Sequence, residues 1–93
     1  MDTKAFEAEL QRDGYGEVST RVIEPGVHND SHSHPFDVRA LMLSGELTLS
    51  WEGHTRTYRA GDVFTMAAGC AHVEQFGPEG ASYLVGRRAK PAG

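Results

Sequence analysis

The chain reads as one all-β domain, a sandwich or barrel preceded by a short helix. Three observations predict this. Short runs of alternating apolar and polar residues follow one another from Tyr15 onward, the period of a strand with one buried face. Eleven glycines punctuate the sequence, many of them within turn sequences between those runs. No repeat, linker or low-complexity stretch divides the 93 residues, a length near the lower end of what folds without staples.

Residues 3 to 13 form the one helical candidate. Phe6 and Leu10 lie four apart among the helix formers Ala5, Glu7, Ala8 and Glu9, with Asp2 or Thr3 to cap the start and Gly14 to end it. One turn-spaced apolar pair predicts a short helix docked on a sheet. Val18 to Ile23 then reads as a strand that stops at Glu24-Pro25-Gly26. His32 to Leu43 reads as a long strand entering through Pro35 and broken by Ser44-Gly45. Glu46 to Trp51 alternates cleanly, and Glu52-Gly53 looks like a hairpin tip returning through Thr55 to Tyr58. Ala60-Gly61-Asp62 turns the chain into Val63 to Met66, and Ala67-Ala68-Gly69 turns it into Cys70 to Phe76. Gly77-Pro78-Glu79-Gly80 is a further turn before Ser82 to Val85. Seven or eight short strands are therefore expected. The domain divides into a helix and lead-in over residues 1–14, a β-barrel over 15–86 and a loose tail over 87–93.

Composition narrows the function. Net charge is −4 and the basic residues are scattered apart from Arg87-Arg88, which argues against nucleic acid. Arg87, Arg88 and Lys90 read as a solvated end. No stretch approaches the roughly 20 apolar residues that cross a bilayer, so no membrane partner is expected. Met1-Asp2-Thr3-Lys4 lacks the layout of a secretion signal, and the expected setting is cytoplasmic. With the single cysteine Cys70, the core relies on packing or on a metal.

Histidines carry the chemistry. In an extended segment His32 and His34 point the same way, because side chains alternate faces with period 2. Two imidazoles on one face are half of a site for a first-row transition metal. His72, after the Gly69 turn and at the head of an apolar strand, is the natural third ligand. His28, in the polar run Asn29-Asp30-Ser31, reads as a solvated loop residue, His54 as a surface residue at a hairpin tip, and Cys70 as a small turn residue.

These positions resemble the two motifs of a small single-domain cupin, from about Gly26 to Phe76. The first motif is glycine, five residues, His-x-His, three or four residues, Glu, six residues, glycine; here it runs Gly26, His32-Ser33-His34, Gly45. The second is glycine, five residues, Pro-x-Gly, two residues, His, three residues, Asn; here it runs Gly61, Ala67-Ala68-Gly69, His72, Phe76. Val38 stands where the family has its glutamate ligand, Ala67 replaces the proline and Phe76 the asparagine.

The resemblance implies an all-β, cupin-type jelly-roll β-barrel with a short N-terminal helix. It implies a metal centre of His32, His34 and His72, holding a divalent transition metal (Fe²⁺, Mn²⁺, Ni²⁺ or Zn²⁺). Two carboxylates compete to supplement it. Glu74 lies two residues beyond His72 on the same strand face, whereas alternation turns Asp37 away from His34 and Val38, and only a bulge would bring it in. The ranking is three histidines alone, then Glu74 added, then Asp37. Phe36, Val38, Met42, Met66, Phe76 and Tyr83 are expected in the core and around the cavity, with Tyr83 able to donate to a bound molecule. A carboxylate-poor, three-histidine centre resembles that of cupin dioxygenases acting on thiols or diketones. The expected function is a dioxygenase-like or other metal-dependent enzyme acting on a small molecule. A non-enzymatic small-ligand-binding or sensor domain is the alternative. The expected assembly is a homodimer joined through edge strands.

Overall fold

The computed structural model describes residues 2–89. Helix α1 spans Thr3–Arg12 and is capped by the Asp2 carboxylate, which accepts from the Ala5 amide at 3.0 Å. Six strands follow: β1 Gly16–Ile23, β2 His28–His32, β3 Phe36–Trp51, β4 His54–Arg59, β5 Val63–Met66 and β6 His72–Ala89. All pairings are antiparallel, in the order β1-β6-β3-β4, with β2 also on β6 and β5 also on β3.

The two long strands organise everything else. On β3, Ala40 and Met42 face the main core while Leu41 faces outward; on β6, Tyr83 and Val85 face inward and Leu84 outward. Both faces of these strands are covered, which is why they read as nearly continuous apolar runs. The outward residues meet Phe6 and Leu10 of α1 and the ring of Tyr15. Gly86 makes room for that contact, since a Cβ there would lie 3.0 Å from Tyr15 Cβ. The inner faces close on one another through Tyr58–Phe64 and Phe64–Tyr83 ring contacts at 5.6 and 5.7 Å.

Several expected boundaries differ. Ser44-Gly45 and Gly77–Gly80 do not interrupt the ladder; each lies within one continuous strand. Residues 77–80 stand opposite Glu46 alone, between the pairs Gly45↔Ala81 and Leu47↔Phe76. They form a bulge that bends both strands. Two strands replace four predicted pieces, and with β2, which the sequence does not show, the described residues hold six strands in place of seven or eight. Residues 28–32 form β2, because β6 offers them a ladder partner that the polar sequence does not advertise. His32 and His34 do not share a strand: His32 ends β2, and β3 begins at Phe36, after Pro35, which has no N–H to give. The tail predicted over 87–93 does not begin at Arg87. Arg87, Arg88 and Ala89 pair with Val38, Asp37 and Phe36, and Lys90 onward lies outside the described residues.

Candidate metal centre

His32 closes β2 and His72 opens β6, and the two are directly opposite in the ladder. Their rings lie 4.4 Å apart. His34 arrives from the link after β2. Its carbonyl accepts from the Gly69 amide at 2.8 Å, so the link is tied to the turn that delivers His72. The His34 ring stacks on Phe36 at 5.0 Å and sits 5.0 and 5.4 Å from the other two rings. One ligand nitrogen from each histidine lies within 4.8 Å of the others.

Backbone carbonyls set the tautomers. His32 Nδ1–H donates to Asp30 O at 2.8 Å, and His72 Nδ1–H donates to Cys70 O at 2.9 Å. A carbonyl only accepts, so both rings carry their proton on Nδ1 and leave the Nε2 lone pair free. Desolvation, reinforced by His32 and His72, holds the His34 imidazole below its ordinary pKa of 6.5 and hence neutral. Three imidazoles brought together in this way fit a divalent transition metal.

Glu74 borders the cluster. Its Oε1 is 3.8 Å from His32 Nε2 and its Oε2 is 4.0 Å from His72 Nε2, with 16% of the side chain exposed. Asn29, opposite Glu74 in the ladder, donates to Oε1 at 2.8 Å and fixes that carboxylate.

A cavity of about 290 Å³ opens beside His34, His72 and Glu74. One wall is apolar, with Val38, Leu49, Phe64 and Met66; the other is the inner face of β1, with Glu17, Ser19 and Arg21. Tyr83 lines this cavity and a neighbouring one that reaches His32. Burial raises the Tyr83 pKa above its ordinary value, so the phenol keeps its proton.

Most of the chain matches solved structures in fold. A cupin superfamily protein from Desulfitobacterium hafniense superposes with a TM-score of 0.68 at 18% identity, covering 78% of this chain and 66% of its own. The chain has the cupin fold. A conserved protein from Streptococcus pyogenes is equally similar, with a TM-score of 0.68, 23% identity and coverage of 81% and 65%. The DMSP lyase DddQ from Ruegeria pomeroyi gives a TM-score of 0.69 at 23% identity, over 82% of this chain but 39% of the lyase. The chain thus spans about two-thirds or less of the length of these three proteins. No family model matches the sequence, and no curated protein does.

The structure brings together His32, His34 and His72, with Glu74 beside them. Asp37 is elsewhere: its Oδ1 accepts from the Ala68 amide at 2.8 Å and its Oδ2 from Arg88 at 3.0 and 3.2 Å. Of the expected lining residues, Phe36, Val38, Met66 and Tyr83 border the cavity and Phe76 the neighbouring one. Met42 lines neither and is fully buried in the core. His28 is exposed yet partnered, and His54 packs its ring 5.6 Å from Trp51 at the hairpin. The Cys70 thiol is held above its ordinary pKa by desolvation and then by Glu52, which suits a turn residue better than a thiolate ligand.

Asn29, Ser19, Arg21 and Arg87 are the site residues that the sequence argument overlooks. The Val18-x-Thr20-x-Val22 alternation carries a signal for two of them, because it sends Ser19 and Arg21 to the opposite, inner face. Arg87 is exposed, as expected, but engaged: it lines the cavity, packs over the Phe36 ring at 4.6 Å and pairs with Glu17 at 3.7 Å.

Proposed function

We propose that this cupin domain is a metal-dependent enzyme whose centre is His32, His34 and His72, acting in a dioxygenase-like or related reaction on a small molecule. The observation that carries the proposal is the convergence of three histidines, two of them locked by carbonyls with Nε2 free. A divalent transition metal bound there supplies Lewis acidity and open coordination positions. The protein contributes the rest. The cavity excludes bulk water and orients the substrate against the histidines. Glu74, partly buried and pinned by Asn29, accepts a proton at the carboxylate oxygen that Asn29 leaves free. The uniformly apolar wall equally suits a non-enzymatic small-ligand-binding or sensor domain, which separates from the enzyme by binding without turnover.

The test is metal analysis of the purified protein, before and after addition of Fe²⁺, Mn²⁺, Ni²⁺ or Zn²⁺. One metal per chain is expected, with His72→Ala abolishing it. No uptake of any of these ions sinks the proposal. We also propose a homodimer through β1, an edge strand on which Val22 is 80% exposed.

A further inference from the structure

The three histidines are not held alike. His32 and His72 each donate from Nδ1 to a backbone carbonyl, Asp30 O and Cys70 O. Among the described residues the His34 ring makes no hydrogen bond, and its ring contacts are with His32, His72 and Phe36. An imidazole with no fixed plane gives up rotamer freedom when it binds a metal, which weakens binding.

The local sequence supplies a substitute for the missing hydrogen bond. Pro35 disfavours helical backbone at the residue before it, and in extended backbone residues two apart face the same way. The His34 and Phe36 rings lie 5.0 Å apart at 17°, a stacked pair. Against the other two imidazoles His34 is steeply inclined, at 77° and 48°.

Phe36 is itself fixed. It opens β3 and pairs with Ala89 in the ladder to β6. Arg87 pairs with Val38 and is therefore the diagonal neighbour of Phe36. Its guanidinium carbon lies 4.6 Å from the centre of the Phe36 ring, within cation–π range. Glu17, at a left-handed backbone position (φ 51°) where the register of β1 shifts, meets that guanidinium at 3.7 Å. A line of contacts thus runs from Glu17 through Arg87 and Phe36 to His34.

We propose that Phe36 is a positioning residue for the metal centre. Its ring, held by Arg87, sets the plane of the His34 imidazole by stacking, where His32 and His72 are set by hydrogen bonds. This inference rests on the metal proposal above, since it concerns how a ligand is presented.

The test is Co²⁺ binding to the full chain, read from the visible absorption of the bound ion and from competition with a chromophoric chelator. Phe36→Leu keeps an apolar side chain but removes the ring. It is expected to bind Co²⁺ about tenfold more weakly than the wild type, with an altered absorption spectrum. Phe36→Tyr restores a ring and should return affinity and spectrum to the wild-type values. Phe64→Leu is the control, because Phe64 also borders the cavity but its ring meets Tyr58 and Tyr83 instead of a histidine. It should lower Tm and leave Co²⁺ affinity and spectrum unchanged. A second measurement needs no variant: nuclear Overhauser effects should join the His34 and Phe36 ring protons in the metal-free protein. Their absence, wild-type affinity in Phe36→Leu, no recovery in Phe36→Tyr, or equal weakening in Phe64→Leu overturns the positioning role and leaves the metal centre standing. Failure of the wild type to take up Co²⁺ overturns both.

Discussion

A histidine is a usable ligand only while one nitrogen keeps its lone pair, and here the surroundings of each ring decide that. The carbonyls of Asp30 and Cys70 settle it for His32 and His72. For His34, burial and two like neighbours oppose protonation. His28 is the internal contrast. Its Nδ1 faces Gln75 Oε1 at 2.9 Å and its Nε2 faces Asp30 Oδ1 at 3.0 Å, two acceptors that favour the doubly protonated ring and raise its pKa above 6.5. NMR titration of the metal-free protein should therefore find His34 titrating below 6.5 and His28 above it; the reverse order refutes both assignments. The linkage signs differ as well. His28 stabilises the fold below 6.5, and that contribution is lost as pH rises through its folded pKa. His34 opposes folding as pH falls below 6.5, because the unfolded chain then binds the proton that the folded one resists. At Glu74, Glu74→Gln should retain one metal per chain if the carboxylate only borders the centre. Loss of metal in that variant makes Glu74 a ligand.

At the scale of elements, the site depends on two loops being held together, and Asp37 does that. One oxygen takes the Ala68 amide in the turn before His72, and the other takes Arg88. Arg88 in turn donates to the Asp13 carbonyl at 3.1 Å and covers the Tyr15 ring, joining the end of α1 to β6. Asp37→Ala leaves the Ala68 amide without its acceptor and should lower Tm by roughly 5–10 °C. Metal stoichiometry at saturation should stay at one, since the Asp37 oxygens are engaged by the Ala68 amide and Arg88; loss of metal with an unchanged Tm contradicts this. The role of Asp37 was half legible in the sequence. Alternation correctly turned it from the histidines, but its partners lie 31 and 51 residues away, and no local pattern encodes them. The strand β2 was hidden for the same reason: Asn29-Asp30-Ser31 is polar, and only the ladder to β6 makes it extended. By contrast α1, the hairpin at Glu52-Gly53 and the strand Val63 to Met66 rest on local signals and fall where the sequence puts them. The three histidines were legible because glycine-framed spacing survives; Arg21 and Arg87 were not, because exposed and cavity-facing arginines look alike in a sequence.

At the scale of the molecule, closure depends on two glycines where the long strands bend. Gly45 has φ +75° and Gly80 φ +72°, values that L side chains rarely adopt. Space is the stricter constraint. A Cβ on Gly45 would lie 1.9 Å from the Gly80 carbonyl oxygen, and one on Gly80 would lie 2.4 Å from the Ile23 carbonyl oxygen. Both clashes are with backbone, so relief requires β1, β3 and β6 to separate at the point where the sheet folds over the core. Gly53 provides the control, with φ +81° but nothing within 4 Å of a Cβ. Gly53→Ala should cost about 1 kcal/mol, the ordinary penalty for a left-handed residue. Gly45→Ala adds overpacking against backbone and should cost about 3 kcal/mol more, a large share of the stability of a domain of this size. Urea denaturation of the two variants checks this. The bend also places β2 and the start of β6 against each other, so any folded Gly45→Ala protein should lose metal affinity along with stability. Equal stability of the two variants would mean that the strands do not approach as closely at the bend as this fold requires.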